Sequence, residues 1–227
     1  MAARHDFVTF TPEQARRFLD AVKGDRLEAL YILGLTTGMR EGELFGLRWA
    51  DVNLDAGAVH VVRQLKTRSA RRQVLLASVA VDALTRHLAN QREECRQLGP
   101  AWDEQGLVFP NTVGRPLHSS NFLQRSFYPL LERAGLPHIR FHDLRHSAAT
   151  LLLGLGIHPK IVSEMLGHSQ IGITLDLYSH VTATMQQEAV RAFEGLFGSQ
   201  LGSQEGVTED QNTSSGPVAQ SVRAADS

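Results

Sequence analysis

Phe141-His142-Asp143-Leu144-Arg145-His146-Ser147-Ala148-Ala149-Thr150-Leu151-Leu152-Leu153 decides how this chain is read. After a break come Leu166-Gly167-His168-Ser169 and Leu175-Asp176-Leu177-Tyr178-Ser179-His180. Leu144, Ala148, Leu151 and Leu152 recur at helical spacing, so the spacing predicts a helix over 141–155 with an apolar face. His142 and Arg145 are three residues apart and share a face of it, and His146 stands one turn on from His142. Gly154 to Pro159 reads as a turn, Pro159 to Leu166 as a short helix, and Gly167 as its stop. His168 follows that stop directly, where a side chain can be aimed into a site. Ile171 to Tyr178 reads as the next element. Arginine, histidine and a phenol in this order suit attack on a phosphodiester.

Working outward, Thr184 to Phe197 is a last amphipathic helix, with Met185, Ala189, Val190, Phe193, Leu196 and Phe197 on its apolar side. From Gly198 to Ser227 the composition turns to Ser, Gln, Gly, Thr and acids without periodicity, which predicts a disordered tail. Upstream, Ser119 to Ala134 reads as a helix capped by Ser119 or Ser120 and ended by Gly135. Val79 to Leu98 is a long amphipathic helix closed by Gly99-Pro100. Leu107 to Pro110 is a short apolar segment.

Thr11-Pro12-Glu13-Gln14 starts the first helix, with a threonine cap, proline in the first turn and glutamine three residues on. Arg26 to Thr37 is apolar nearly all round, which marks a central helix, and Gly38 ends it. Met39-Arg40 then leads into a short helix over 41–47. Ala58 to Val62 and Gln73 to Leu76 read as antiparallel strands joined by the polar turn Lys66-Thr67-Arg68-Ser69-Ala70. The fold class is therefore α+β, mostly helical with a small antiparallel sheet or hairpin on one side.

The chain has 227 residues and a formal net charge of −1, which by itself says nothing of nucleic acid. Charge distribution says more. Without the acidic tail the remainder is net +2, and Arg63, Lys66, Arg68, Arg71 and Arg72 fall within ten residues. Such a cluster is an electrostatic footprint for a phosphate backbone, so Arg63, Arg68, Arg71 and Arg72 are expected to contact DNA. A charged hairpin edge that guards against strand pairing would carry the same residues. One cysteine, Cys95, excludes an internal disulfide framework and a Cys-based zinc site. No apolar run is long enough to span a membrane, and Met1 to Phe7 does not read as a signal peptide. A cytoplasmic compartment is the expectation.

Arginine forks bind nonbridging phosphate oxygens bidentately and stay charged at any working pH. Two arginines and a histidine can thus do electrostatically what metal ions do in other phosphoryl-transfer sites. A tyrosine with an ordinary pKa of about 10 must lose its proton as it attacks. The leaving oxygen needs a proton in return, and a lysine on a hairpin can donate one. Arg40, Lys66, His142, Arg145, His168 and Tyr178 supply that inventory, with no cofactor and no metal required.

These stretches together resemble the catalytic domain of the tyrosine recombinases, the phage integrase family. Thr37-Gly38-Met39-Arg40-Glu41-Gly42-Glu43-Leu44-Phe45-Gly46-Leu47-Arg48-Trp49 is similar to the family's first arginine box, which implies Arg40 as catalytic and Glu43 as its acidic support. Lys66 corresponds to the hairpin lysine. His142-Asp143-Leu144-Arg145-His146 resembles the second box, Leu166-Gly167-His168-Ser169 the box that gives His168, and Leu175 to His180 the one that carries the nucleophile, Tyr178. The resemblance covers roughly residues 9 to 197.

It implies a site-specific recombinase that joins a DNA 3′-phosphate to Tyr178, releases a 5′-hydroxyl, and reseals with a partner strand through a Holliday junction. Bond energy is retained, so neither ATP nor metal is needed. It further implies double-stranded DNA as partner and a homo-tetramer on two DNA sites, with helix 184–197 docking in trans. Accessory DNA-bending or directionality proteins, a bacterial nucleoid-associated location and integration or excision of a phage or other mobile element also follow from it. Residues 1–197 would form the catalytic domain, 198–227 the tail, and the family's N-terminal DNA-binding domain would be absent from this chain.

Gly216 to Ser227 has no fold logic, and one permitted back-translation of Val218 to Ala224 resembles the D-arm of a tRNA gene, which suggests insertion at such a gene. Two other readings compete. A metal-dependent phosphohydrolase would use His142 and His146 at i, i+4 spacing, yet Arg145 would sit beside the cation and no third ligand is placed. A non-catalytic DNA-binding regulatory module would not need six candidate catalytic side chains.

Overall fold

A computed structural model describes residues 8–64 and 69–167, together with 172, 174, 175, 178, 179, 190, 191 and 194. Of residues 62–64 and 69–71 it describes the backbone alone. The chain divides into two units, Met1–Met185 and Gln186–Ser227. In the second unit Val190, Arg191 and Glu194 are helical and exposed; the rest of the expected helix 184–197 lies outside the described residues.

Helix α1, Pro12–Ala21, begins as its sequence predicts. Thr11 accepts from the Gln14 N–H and the Gln14 side chain accepts from the Thr11 N–H, a complete capping box. Helix α2, Glu28–Thr37, is buried from Ala29 to Leu35 and forms the centre of the core. Tyr31 of this helix joins Phe10, Phe18, Phe122, Phe127 and Phe141 in an aromatic cluster. The Tyr31 hydroxyl is paired with Ser126 Oγ at 2.7 Å, which satisfies the polar end of a fully buried ring. Gly38 ends α2 in the left-handed conformation, and α3, Glu41–Phe45, follows after a bend.

The sheet has three antiparallel strands in the order β1 (Val52–Asn53), β2 (Ala58–Gln64), β3 (Ser69–Leu75). The expected hairpin is β2–β3, longer than its sequence suggested, with Val61 opposite Arg72 and Val59 opposite Val74. β1 was not expected, because two residues carry no readable alternation. Helix α4, Ser78–Leu98, packs on α2 and is stapled to the apolar segment 107–109 by polar side chains. Gln91 donates to the carbonyls of Leu107 and Val108 and accepts from Trp49 Nε1, while His87 Nε2 is 2.7 Å from the Val108 oxygen.

The helix expected over 119–134 has three parts: α5 (Ser119–Phe122), a π-turn over Leu123–Phe127 and α6 (Tyr128–Arg133). Pro129 supplies the reason, since it has no N–H for the carbonyl four residues back and its ring needs room there, which a widened turn provides. The start of α5 also differs from the expectation. His118 occupies the cap position and makes no side-chain cap bond.

Helix α7, Asp143–Gly154, lies against α2 at Gly34, where a Cβ would meet Leu144 and Phe141 at 3.4 Å. Helix α8, Pro159–Leu166, matches its predicted span and ends at the left-handed Gly167. Ala149, Leu153, Val162 and Leu166 pack α7 on α8. These contacts bring the end of α8 to the bend after α2, because the position a Gly38 Cβ would take is filled by Leu166 and bordered by Ala148 and Arg145.

Candidate active site

Two sequence boxes meet through backbone carbonyls. Arg145 is almost fully buried in the first turn of α7, and its Nη1 donates to the Gly38 carbonyl at 2.6 Å. Arg40, at the cap of α3, donates from Nη2 to the Gly167 carbonyl at 3.0 Å. Each arginine is thus fixed by a turn that a glycine makes, 107 residues away for one and 127 for the other. A left-handed residue turns its carbonyl out of the helical ladder, which is what makes these oxygens available.

Glu43 is the hub. Its carboxylate accepts from the Arg40 backbone N–H at 2.9 Å and from Arg40 Nη1 at 3.0 Å. It also accepts both terminal nitrogens of Arg72, at 2.9 and 2.8 Å. Burial alone would raise the pKa of Glu43. The Arg72 fork, the Arg40 N–H and the two positive charges instead hold it at about 2.

Arg72 was expected to face DNA with Arg63, Arg68 and Arg71. Its guanidinium is instead committed to Glu43, and its side chain is 17% exposed. The pleat explains this. Arg72 lies opposite the buried Val61 and two residues before the buried Val74, so it shares their inward face, while the intervening Gln73 is exposed. That alternation is readable in the sequence and was the signal that sets Arg72 apart from the other basic residues. The side chains of Arg63 and Arg71, and all of Lys66 and Arg68, lie outside the described residues.

His142 caps α7, and its ring meets that of His146 edge to face, with centroids 5.1 Å apart. Burial, then the charge of Arg145, lowers the pKa of His142, with a smaller push from Arg40. Burial, then His142, holds His146 at about 4. Both rings are therefore neutral at pH 7, able to accept a proton or a hydrogen bond rather than add charge. Asp143, between them, is bound by Arg140 through its backbone N–H and its guanidinium.

The structure brings Arg40, Glu43, His142 and Arg145 together. His168 directly follows the Gly167 that Arg40 holds, but lies itself outside the described residues. Tyr178 is helical and 38% exposed, and the neighbouring Ser179 donates to the Leu175 carbonyl as in a helix turn. Among the described residues no three His, Cys, Asp or Glu side chains gather as metal ligands, and no helix is long and apolar enough to cross a membrane.

A model of the phage integrase family matches residues 9–185. A tyrosine recombinase XerC-like protein of Caldanaerobacter subterraneus subsp. tengcongensis is 35% identical over 213 residues, which cover 83% of this chain and 54% of that protein. Among solved structures, the XerA recombinase superposes with a TM-score of 0.66 at 25% identity, over 83% of this chain and 65% of the other. XerH site-specific recombinase bound to its difH substrate superposes with a TM-score of 0.61 at 26% identity, over 76% and 50%. The chain spans about half the length of the curated relatives it matches. Fold, boxes and matches agree: this chain belongs to the phage integrase family, the tyrosine recombinases.

Proposed function

We propose that this chain carries the catalytic part of a site-specific recombinase that cleaves and rejoins double-stranded DNA through a 3′-phosphotyrosyl link to Tyr178. The observation that carries the reading is the cross-fixing of Arg40 and Arg145 on the Gly167 and Gly38 carbonyls. It supports a reading in which the two permanent cations, both felt by His142, serve one region, where charge developing on a phosphate would be met without solvent reorganisation. Arg40, Arg145 and His168 would hold the nonbridging oxygens. His142, with its lowered pKa, would take the phenol proton, and Lys66 would protonate the leaving 5′-oxygen. The phenol oxygen forms the new P–O bond as the 5′-oxygen leaves, and a 5′-hydroxyl of the partner strand later reverses the exchange.

The partner is duplex DNA, with Arg63, Arg68 and Arg71 on the hairpin as backbone contacts. XerH bound to its DNA substrate is a structural neighbour that supports this. Curated relatives include an integrase and a transposase of mobile elements, which favours integration or excision of such an element. A tRNA gene as its target rests on the back-translation of Val218 to Ala224 alone. Work in the bacterial cytoplasm at the nucleoid follows, on two sites, in a homo-tetramer exchanging helix 184–197 in trans, with accessory bending or directionality proteins.

The test is covalent trapping on nicked suicide duplexes tiled across the DNA that flanks the gene. Wild type should yield a denaturant-resistant protein–DNA adduct on one tile, and Tyr178→Phe should bind that tile without one. No wild-type adduct on any tile, or an adduct that survives Tyr178→Phe, overturns the assignment.

A further inference from the structure

A poorly exposed carboxylate flanked by two arginines has a choice of partner, and here the choice is already made. Glu43 receives four donors, two of them from Arg72. Arg40 consequently holds the carboxylate with one terminal nitrogen, gives the other to Gly167, and keeps 29% of its side chain exposed. Arg72 also lies against the Gly167 turn itself. A Cβ on Gly167 would stand 3.1 Å from its Cδ, Cζ and Nε, at a φ of +67° that already favours glycine.

We infer that Arg72 is a positioning residue for Arg40: carried in on the packed face of β3, it occupies both oxygens of Glu43 and abuts Gly167, so that Arg40 stays half-tethered and partly open. This rests on the recombinase reading of the site. Without Arg72, Glu43 would have two unsatisfied acceptor positions in a poorly solvated place. The nearest cation to fill them is Arg40, whose fork would swing onto the carboxylate, release the Gly167 carbonyl and leave the phosphate region. The same side chain joins three parts of the site: the strand that leads from Lys66, the helix of the first arginine, and the turn before His168. Lysine could not replace it, since one ammonium cannot fill both oxygens in a fixed fork.

The experiment uses the duplex that traps wild type and compares Arg72→Gln, Arg72→Lys, Glu43→Gln and the double variant Arg72→Gln/Glu43→Gln. Single-turnover adduct formation at saturating DNA should fall about 10- to 100-fold in Arg72→Gln, the scale of a misplaced catalytic group. The salt slope of DNA binding should be unchanged, since no phosphate contact is lost. Arg72→Lys should restore thermal stability more than rate. The double variant should be no slower than Arg72→Gln alone, because the fork onto Glu43 loses its charge.

A folded Arg72→Gln with wild-type rate, a salt slope lower by about one, or additive losses in the double variant overturn the inference. Nuclear magnetic resonance of the Arg40 Nε–H, assigned with Arg40→Lys, reads the same point without any reaction. In Arg72→Gln this signal should shift or broaden. An unmoved signal overturns the inference even where DNA is cleaved, and a moved one upholds it even where the suicide duplexes fail.

Discussion

The Arg145 side chain donates to the Gly38 carbonyl at 2.6 Å, tying the start of α7 to the bend after α2. A side chain that is only 2% exposed is thereby held in place by a main-chain carbonyl, which meets one of its buried donors. The bend in turn depends on a residue without a Cβ. Gly38 has φ +60°, and a methyl group there would run into Leu166.

Gly38→Ala should therefore destabilise the protein by about 2–4 kcal/mol, from left-handed strain together with overpacking. The urea midpoint should drop while the slope of the transition stays constant. In protein that remains folded, adduct formation should also slow, since Arg145 loses its alignment.

Acid should weaken the Glu43 hub. Its pKa is about 2 when folded against an ordinary 4.5, so the folded state holds the charged form more tightly. That stability is fully present above about pH 4.5 and drains away as pH falls towards 2. Thermal midpoints of wild type and Glu43→Gln, measured from pH 7 to pH 2.5, should converge at the acid end.

His146 acts over a different range. A neutral ring held at about 4 against an ordinary 6.5 means that the unfolded chain binds the proton first. Its contribution is present above about pH 6.5 and is lost as pH falls to 4. His146→Gln should flatten the stability profile between those values, read by urea titration at each pH.

Lys66→Ala should slow strand cleavage by roughly 100-fold or more, in the range of general acid catalysis. A duplex with sulfur at the 5′-bridging position, whose leaving group needs no proton, should recover most of the rate. Failure to recover removes Lys66 from the acid role.

At the opposite end of α2, about 15 Å from Arg40 along a ten-residue helix, Arg26 forks onto Glu94 and donates to the carbonyls of Pro110 and Asn111. Glu94→Ala should cost about 1–3 kcal/mol, because a partly buried guanidinium loses its anion. The adduct rate of the folded variant should not change, which makes it a control for Gly38→Ala.

Local signals made much of this architecture readable. Thr11 with Gln14, Gly38, and Pro159 with Gly167 each state a helix boundary in their own neighbourhood, and the structure places the boundaries there. The ordered boxes pointed to the site and the family. What escaped is set by how neighbouring segments pair and pack, not by a boundary signal. The short β1 exists only because β2 lies beside it, and the π-turn over 123–127 answers to Pro129. Arg72 looked like one of a basic run, although its alternation with Gln73 and Val74 already marked it as the member that turns inward, to Glu43.

Folding has already matched several of the basic side chains to acids within the protein, among them Arg72 to Glu43 and Arg26 to Glu94. A census of lysines and arginines thus overstates how many counterions a polyanion gives up on meeting this surface. Electrolyte sensitivity will follow the unmatched cations, and sequence changes that free either of these arginines would make adhesion to any nucleic acid stickier without making it more selective.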